Sequence, residues 1–143
     1  QFMQIQQLSI FVENKSGRLA EVTELLAGAG IDIRAISATD TSDFGILRLI
    51  VSDPERAVPL LRGAGITVSL TDVIAVGMMD VPGAFAKAVR TLADHGINVD
   101  YMYAFTSRDL GKACVLLHTS DNEAAVKVLG ASGIEVVQAE DIR

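Results

Sequence analysis

The sequence is poor in the residues that build disulfides, metal sites and aromatic cores. Of 143 residues, one is cysteine, none is tryptophan, two are histidine and 5% are aromatic. A single cysteine, Cys114, excludes an internal disulfide and favours a cytoplasmic protein. Its place inside an apolar run indicates a buried thiol rather than a nucleophile. One cysteine and two scattered histidines predict no metal site and no metal cofactor.

Positive charge is also scarce, and no apolar run is long. The formal net charge is −6, which argues against nucleic acid and against an anionic membrane surface as partners, since both require clustered Lys and Arg. No apolar stretch approaches the roughly 20 residues of a membrane helix. No P-loop, Gly-x-Gly-x-x-Gly motif or Ser-His-Asp order is present. The sequence therefore predicts no catalytic residues.

What the chain does contain is a duplication. "VENKSGRLAEV" and "MMDVPGAFAKAV" each leave an apolar run, pass a polar turn and reach a glycine before a helical pattern. Gly17 and Gly83 lie 66 positions apart (83 − 17). "GAGIDI" matches "DHGINV", and "SDPERAVPLLRGAGITV" matches "SDNEAAVKVLGASGIEV". A period this long predicts two small domains, which we place at residues 4–70 and 71–143.

Both copies show the same order of elements. A strand-like run precedes a helical pattern, two further extended runs follow, and a second helix and a short strand end the copy. Each second helix begins with Ser, then Glu three residues later ("SDPE", "SDNE"), which predicts a capping box. The order βαββαβ, given twice, predicts an α+β fold of two ferredoxin-like sandwiches in tandem.

The glycine turn together with the second-strand pattern resembles the ACT domain, a regulatory module that binds amino acids. The first copy keeps Asn14, Gly17 and Leu19 of the family's Asn-x-Pro-Gly-like turn, with Ser16 in place of the usual proline. It has Asp32 where the family has asparagine at the second strand. The second copy keeps Pro82, Gly83 and Asn98, but has Asp80 in place of the turn asparagine. The resemblance covers nearly the whole chain and implies a free-standing tandem ACT protein.

The resemblance implies two sites, because ACT ligands commonly lie between two modules. An amino-acid carboxylate suits the N–H groups and positive dipole of a helix start. The first site would place Asn14 opposite Asn98, and the second, weaker site would bring together two carboxylates, those of Asp80 and Asp32. The residues expected to bind at the first site are Asn14, Lys15, Ser16, Gly17, Arg18, Leu19 and Asn98. Those expected at the second site are Asp80, Val81, Pro82, Gly83, Ala84, Phe85 and Asp32.

The same sequence features can also arise in a protein that binds no amino acid. A glycine at a helix start can serve only a tight turn. Tyr101, Tyr103 and Phe105 share one face of an extended run, where they can pack a sheet or line a ligand pocket. An RNA-binding module also has the order βαββαβ, but its third strand carries stacking aromatics that "GILRLIV" and "ACVLLHT" lack.

The function expected from the sequence is a non-catalytic sensor. It would bind a free amino acid at a module interface and regulate a metabolic enzyme or its own assembly, as a homodimer. The alternative is a small ferredoxin-like enzyme, of isomerase or lyase type, with an unrecognised site. The sequence does not name the amino acid or the pathway.

Overall fold

The computed structural model describes residues 4–13, 17–40, 44–78, 82–106 and 113–142. The first copy contains β1 (Ile5–Glu13), α1 (Arg18–Gly28), β2 (Ile33–Asp40), β3 (Phe44–Val51) and α2 (Pro54–Gly63). A long strand, β4 (Thr67–Met78), then leads into the second copy. There follow α3 (Ala84–Asp94), β5 (Val99–Thr106), β6 (Ala113–Thr119), α4 (Asn122–Ala131), β7 (Glu135–Val137) and a 3₁₀ turn (Ala139–Asp141).

The chain forms two compact units. Of the described residues, the first unit comprises 6–71, and the second comprises 72–142 together with residues 4 and 5. Each unit has its own hydrophobic core. Each core is built in the same way, with alternate strand residues packed against one side of two helices.

In the first unit, β3 lies between β1 and β2, and both pairings are antiparallel. Leu8 and Ile10 of β1 are opposite Leu49 and Leu47 of β3. Because strand residues two apart point to the same face, all four side chains meet the helices on one face of the sheet. The helices contribute five buried residues to this core, namely Val22, Leu26, Ala57, Val58 and Leu61.

In the second unit, the strand order is β5-β6-β4-β7, again with antiparallel neighbours. Counted within the copy, this is the order second, third, first, fourth of a ferredoxin-like sheet. Ile74 and Val76 of β4 are opposite Leu117 and Val115 of β6. These four pack against Ala88, Leu92, Ala125 and Leu129 from the two helices. The predicted ferredoxin-like βαββαβ fold, present twice, is confirmed.

Three local predictions are wrong. The short strand that ends the first copy ("ITVSL") and the strand-like run that begins the second ("DVIAVGMM") are predicted from the sequence as separate strands, but residues of both lie in the single strand β4, Thr67–Met78. No glycine or proline interrupts the stretch from Thr67 to Val76, so nothing in it stops an extended backbone. Because proline suits a first helical turn, the sequence also predicts Pro82 in the first turn of α3, but Pro82 precedes the N-cap residue Gly83. The helix therefore begins two residues after the proline.

The capping boxes are the third correction. Asp53 and Asp121, rather than the preceding serines, cap the second helix of each copy. The Asp121 carboxylate accepts a hydrogen bond of 3.0 Å from the N–H of Ala124. A serine followed by an aspartate offers two possible caps, and here the aspartate takes the position because the serine bonds elsewhere, as described below.

Candidate functional site

Both helix entrances use glycine in the same backbone conformation. Gly17 has φ 89° and ψ −15°, and Gly83 has φ 88° and ψ −13°. Each is the N-cap residue of its helix, and its carbonyl accepts the first helical hydrogen bond, from Glu21 N at 2.9 Å and from Lys87 N at 3.0 Å. This left-handed conformation disfavours any residue with a Cβ. The repeated glycine therefore has a backbone role at both entrances.

Arg18 begins α1 and lies between two carboxylates. Its Nη1 donates a hydrogen bond of 2.9 Å to Glu21 Oε2, one turn along the helix. Its Nη2 is 3.9 Å from Glu13 Oε1 at the end of β1, which is an ion-pair distance but too long for a hydrogen bond. The side chain is 40% exposed, so a small anion can reach the guanidinium from solvent.

A cavity of about 180 Å³ lies beside this pair in the first unit. For scale, a cavity of about 150 Å³ can hold benzene. The end of β1, the starts of α1, β3 and β4, and the two residues before β4 converge here. The lining residues are Phe11, Val12, Glu13, Arg18, Val22, Phe44, Gly65, Ile66 and Thr67. Among the described lining residues, one side chain is cationic and one is anionic, and most of the remaining side chains are apolar.

The start of the second strand is held identically in both copies. The N–H of Asp32 donates to Ser52 Oγ at 3.0 Å, and the N–H of Ser52 donates to the Asp32 carbonyl at 2.9 Å. Asn98 and Ser120 form the same two bonds, at 3.0 and 2.9 Å. The two serines, expected to cap helices, instead fix the backbone of two predicted site residues.

The chain matches a known protein family over nearly its whole length. Residues 3–143 match the family described as an ACT domain pair. The chain belongs to this family. A solved structure of a protein from Bacteroides thetaiotaomicron is 41% identical to this ACT pair, with a TM-score of 0.91, and the match covers 98% of this chain and 96% of that one. A comparison with curated proteins gives no match.

Two further solved structures share the fold of this ACT pair. The regulatory subunit of aspartate kinase from Thermus thermophilus, in a ligand-free form, is 18% identical with a TM-score of 0.67, covering 91% of this chain and 93% of that one. The regulatory subunit of aspartate kinase from Thermus flavus is 19% identical with a TM-score of 0.63, covering 92% and 94%. Membership of the ACT family supports a regulatory, ligand-binding role and favours a protein without catalysis of its own.

The structure locates some of the residues predicted to bind. Asn14, Lys15 and Ser16 of the first entrance, and Asp80 and Val81 of the second, lie outside the described residues. Gly17 and Arg18 lie at the start of α1, and Arg18 lines the cavity. Leu19 is 46% exposed and does not line that cavity. Asn98 is expected to complete the first site from the other copy, which stays a prediction.

Among the predicted site residues that the structure describes in the ACT pair's second unit, none is charged. Gly83 precedes Ala84, which takes the place of Arg18, and Phe85 is 43% exposed. The Asn98 side chain donates to Asp100 Oδ1 at 3.1 Å. Asp32 of the first unit, which was expected at the second site, forms an ion pair with Arg34 at 2.7 Å.

Asp100 connects Asn98 to the aromatic face of β5. Asp100 Oδ2 is 2.8 Å from Nδ1 of His118, whose ring stacks on Tyr101 with centroids 5.1 Å apart. The aromatics Tyr101, Tyr103 and Phe105 are partly buried on the face opposite the helices, because Met102 packs into the core. None of them lines the described cavity, so the pocket-wall interpretation gains no support there.

Sequence reasoning missed most of the cavity wall. Phe11, Phe44 and Ile66 come from segments far apart in the sequence, and no local motif marks them. Glu13 directly precedes the polar turn of the entrance, and this position in the sequence could have identified it as a candidate site residue. Within the described residues, no cluster of three or more His, Cys, Asp or Glu could hold a metal ion, and no described helix is long and apolar enough to cross a membrane.

Proposed function

We propose that this ACT pair is a non-catalytic regulatory protein that binds a free α-amino acid in the cavity at the first helix entrance. The single observation that carries the proposal is the placement of Glu13 and Arg18 on one cavity wall. An α-amino acid is a zwitterion, with a carboxylate and an ammonium on one carbon. A cation and an anion a few ångströms apart complement that pair of charges.

The proposed orientation follows from how Arg18 is already engaged. Nη1 is bonded to Glu21, whereas Nη2 faces Glu13 at 3.9 Å. The ligand carboxylate would bind Nη2 and the first-turn N–H groups of α1, where the helix dipole favours an anion. The ammonium would bind the Glu13 carboxylate. Asn14 and Asn98 remain proposed additional partners.

The second entrance is proposed to bind the ligand weakly or not at all. At the constant offset of 66, the sequence has Met79 in place of Glu13 and Ala84 in place of Arg18. Neither side chain carries a charge, and the neighbouring Asp80 supplies an anion without the cation that Arg18 provides in the first copy. This asymmetry supports one strong site per chain.

Downstream of binding, we propose control of a metabolic enzyme or of the protein's own assembly, as a homodimer in the cytoplasm. The family supports a regulatory role, and the scarcity of cysteine supports the location. A thermal-shift screen of the full chain against the twenty amino acids tests the binding step. A ligand present at 100 times its Kd should stabilise the fold by about 2.7 kcal/mol.

Two glutamates provide a matched test of the site. Glu13 and Glu21 both approach Arg18, but only Glu13 lines the cavity. Glu13→Gln should weaken amino-acid binding roughly tenfold to a hundredfold, because it removes a charge-assisted hydrogen bond worth about 1.5–3 kcal/mol. Glu21→Gln should leave the affinity unchanged or slightly increased, since Arg18 loses a competing partner.

Isothermal titration calorimetry of both variants gives the answer. Equal loss of affinity in the two would mean that the net charge around Arg18, rather than the cavity, governs binding. Arg90→Ala is a control for the Glu21 variant, because it also removes an exposed ion pair within one helix. Arg90 pairs with Asp94 on α3 at 3.0 Å.

A further inference from the structure

The cavity wall indicates the side chain of the ligand as well as its charged groups. We infer that the amino acid bound at the first entrance carries an aliphatic side chain, about the size of valine to leucine. This inference rests on the proposed function, because it assumes that Glu13 and Arg18 bind the ammonium and the carboxylate. It adds the class of ligand, which those two charges leave open.

The inner wall of the cavity is part of the hydrophobic core. Val22 and Ile66 are 1% and 8% exposed, and Val12 is partly buried against the same core. Their branched side chains form a fixed, apolar surface. A ligand side chain that reaches past the charged pair would meet this surface.

The outer wall of the cavity includes two aromatic residues that water reaches. Phe11 is 49% exposed on β1, and Phe44 is 58% exposed on β3. Both strands are paired here, with Phe44 opposite Glu13. An apolar ligand side chain against these rings would remove apolar surface from water on both molecules, which is favourable.

The polar side chains of the cavity are few. Among the described lining residues, they are those of Glu13, Arg18 and Thr67, and the first two are assigned to the ligand's own charges. A lysine, aspartate or glutamate ligand would bring a third charge, and among the described lining residues no further charged side chain is present to pair with it. The volume of about 180 Å³ leaves room for an aliphatic side chain.

Calorimetry with a panel of ligands that share one backbone tests the inference. Leucine, valine, alanine, serine, lysine and aspartate present the same ammonium and carboxylate to the full chain. We expect leucine or valine to bind at least tenfold more tightly than serine, lysine or aspartate. If serine, lysine or aspartate binds best and Glu13→Gln abolishes that binding, the proposed function stands and the inference is wrong. If none of the twenty amino acids binds, the proposed function itself fails.

Variants of Phe11 and Phe44 test whether the outer wall contacts the side chain of the ligand. Phe11→Ala should lower the ratio of leucine affinity to alanine affinity about fivefold to tenfold, because leucine loses an apolar contact that alanine does not reach. Ile36→Ala is the matched control, since Ile36 is 48% exposed on β2 and lies outside the cavity. Phe44→Ala provides a second variant should Phe11→Ala unfold. An unchanged ratio in every folded variant of the wall would overturn the inference.

Discussion

At the scale of single residues, the glycines at the two helix entrances are constrained by their backbone. A Cβ built on Gly17 or Gly83 meets no atom within 4 Å, so space does not select glycine at these positions. The positive φ does, because an L-residue in the left-handed region clashes with its own carbonyl. Glycine is therefore required at the entrance for its backbone conformation. The space beside it stays open, so a ligand can approach the helix start.

We predict that Gly17→Ala lowers the free energy of unfolding by about 1–2 kcal/mol. The control is Gly28→Ala at the end of α1, where a Cβ also meets nothing within 4 Å but φ is not positive. That change should be neutral or stabilise by up to about 1 kcal/mol. Urea unfolding of both variants provides the measurement. Equal stabilities would show that the conformation of Gly17 carries no cost.

The same strain affects how binding experiments at Gly17 are interpreted. A valine at Gly17 combines a strained backbone with a side chain near the ligand, so loss of binding has two possible causes. Glu13→Gln has neither defect, because it keeps the shape of the side chain and removes its charge. For that reason the charge variant is the cleaner test of the cavity.

Much of this residue-scale account was predictable from the sequence. Gly17, Gly83 and Arg18 stand in a local pattern, and local patterns report local backbone geometry. The cavity was not predictable, because Phe11, Phe44 and Ile66 meet only after β1, β3 and the start of β4 have assembled. Exposure of an aromatic ring depends on tertiary packing, which a motif of a few residues does not encode.

At the scale of elements, the capping of α2 and α4 shows how a correct pattern can be assigned to the wrong residue. "SD" precedes both helices, and either residue can cap. Ser52 and Ser120 bond to the starts of the second strands, at Asp32 and Asn98. Asp53 and Asp121 remain to cap the helices. The choice depends on a contact about 20 residues away in the chain, so spacing alone could not decide it.

We predict that Asp121→Ala lowers the free energy of unfolding by about 0.5–2 kcal/mol, because the N–H of Ala124 loses its acceptor. Glu123→Ala should change it by no more than about 0.5 kcal/mol, since Glu123 is not the cap. Chemical denaturation of the two variants distinguishes them. A larger loss for Glu123→Ala would restore the capping-box assignment.

Strand β4 illustrates a second limit of the sequence at this scale. Its residues belong to both copies, with Thr67–Thr71 in the first unit and Asp72–Met78 in the second. The sequence repeat divides the chain near residue 70, where the first copy ends and the second begins. The strand continues through this boundary, because Ser69, Leu70 and Thr71 carry no turn signal.

At the scale of the whole molecule, duplication has preserved the frame and changed the site. The two copies share the glycine entrance, the serine bonds to the second strand and the aspartate caps. They differ in charge at the entrance, where Glu13 and Arg18 correspond to Met79 and Ala84. We therefore expect an amino-acid titration to saturate at one ligand per chain, since only one copy carries both charges.

We also expect the chain to form a homodimer. Leu19 and Phe85 occupy the same position in the two copies and are 46% and 43% exposed. Burying such side chains in an interface would be favourable by about 25 cal/mol per Å² of apolar surface. Sedimentation velocity at micromolar concentration should show a dimer, whereas a monomer across that range would refute the expectation.

The most direct test of the central claim is a crystal structure of the full chain grown with leucine. We predict one leucine per chain beside the first helix entrance. Its carboxylate should lie within hydrogen-bond distance of Arg18, and its ammonium within the same distance of Glu13. Its side chain should contact Val22, Ile66 and Phe11. Leucine bound at the Gly83 entrance, or an empty first cavity in a protein that binds leucine in solution, would contradict the proposed binding site.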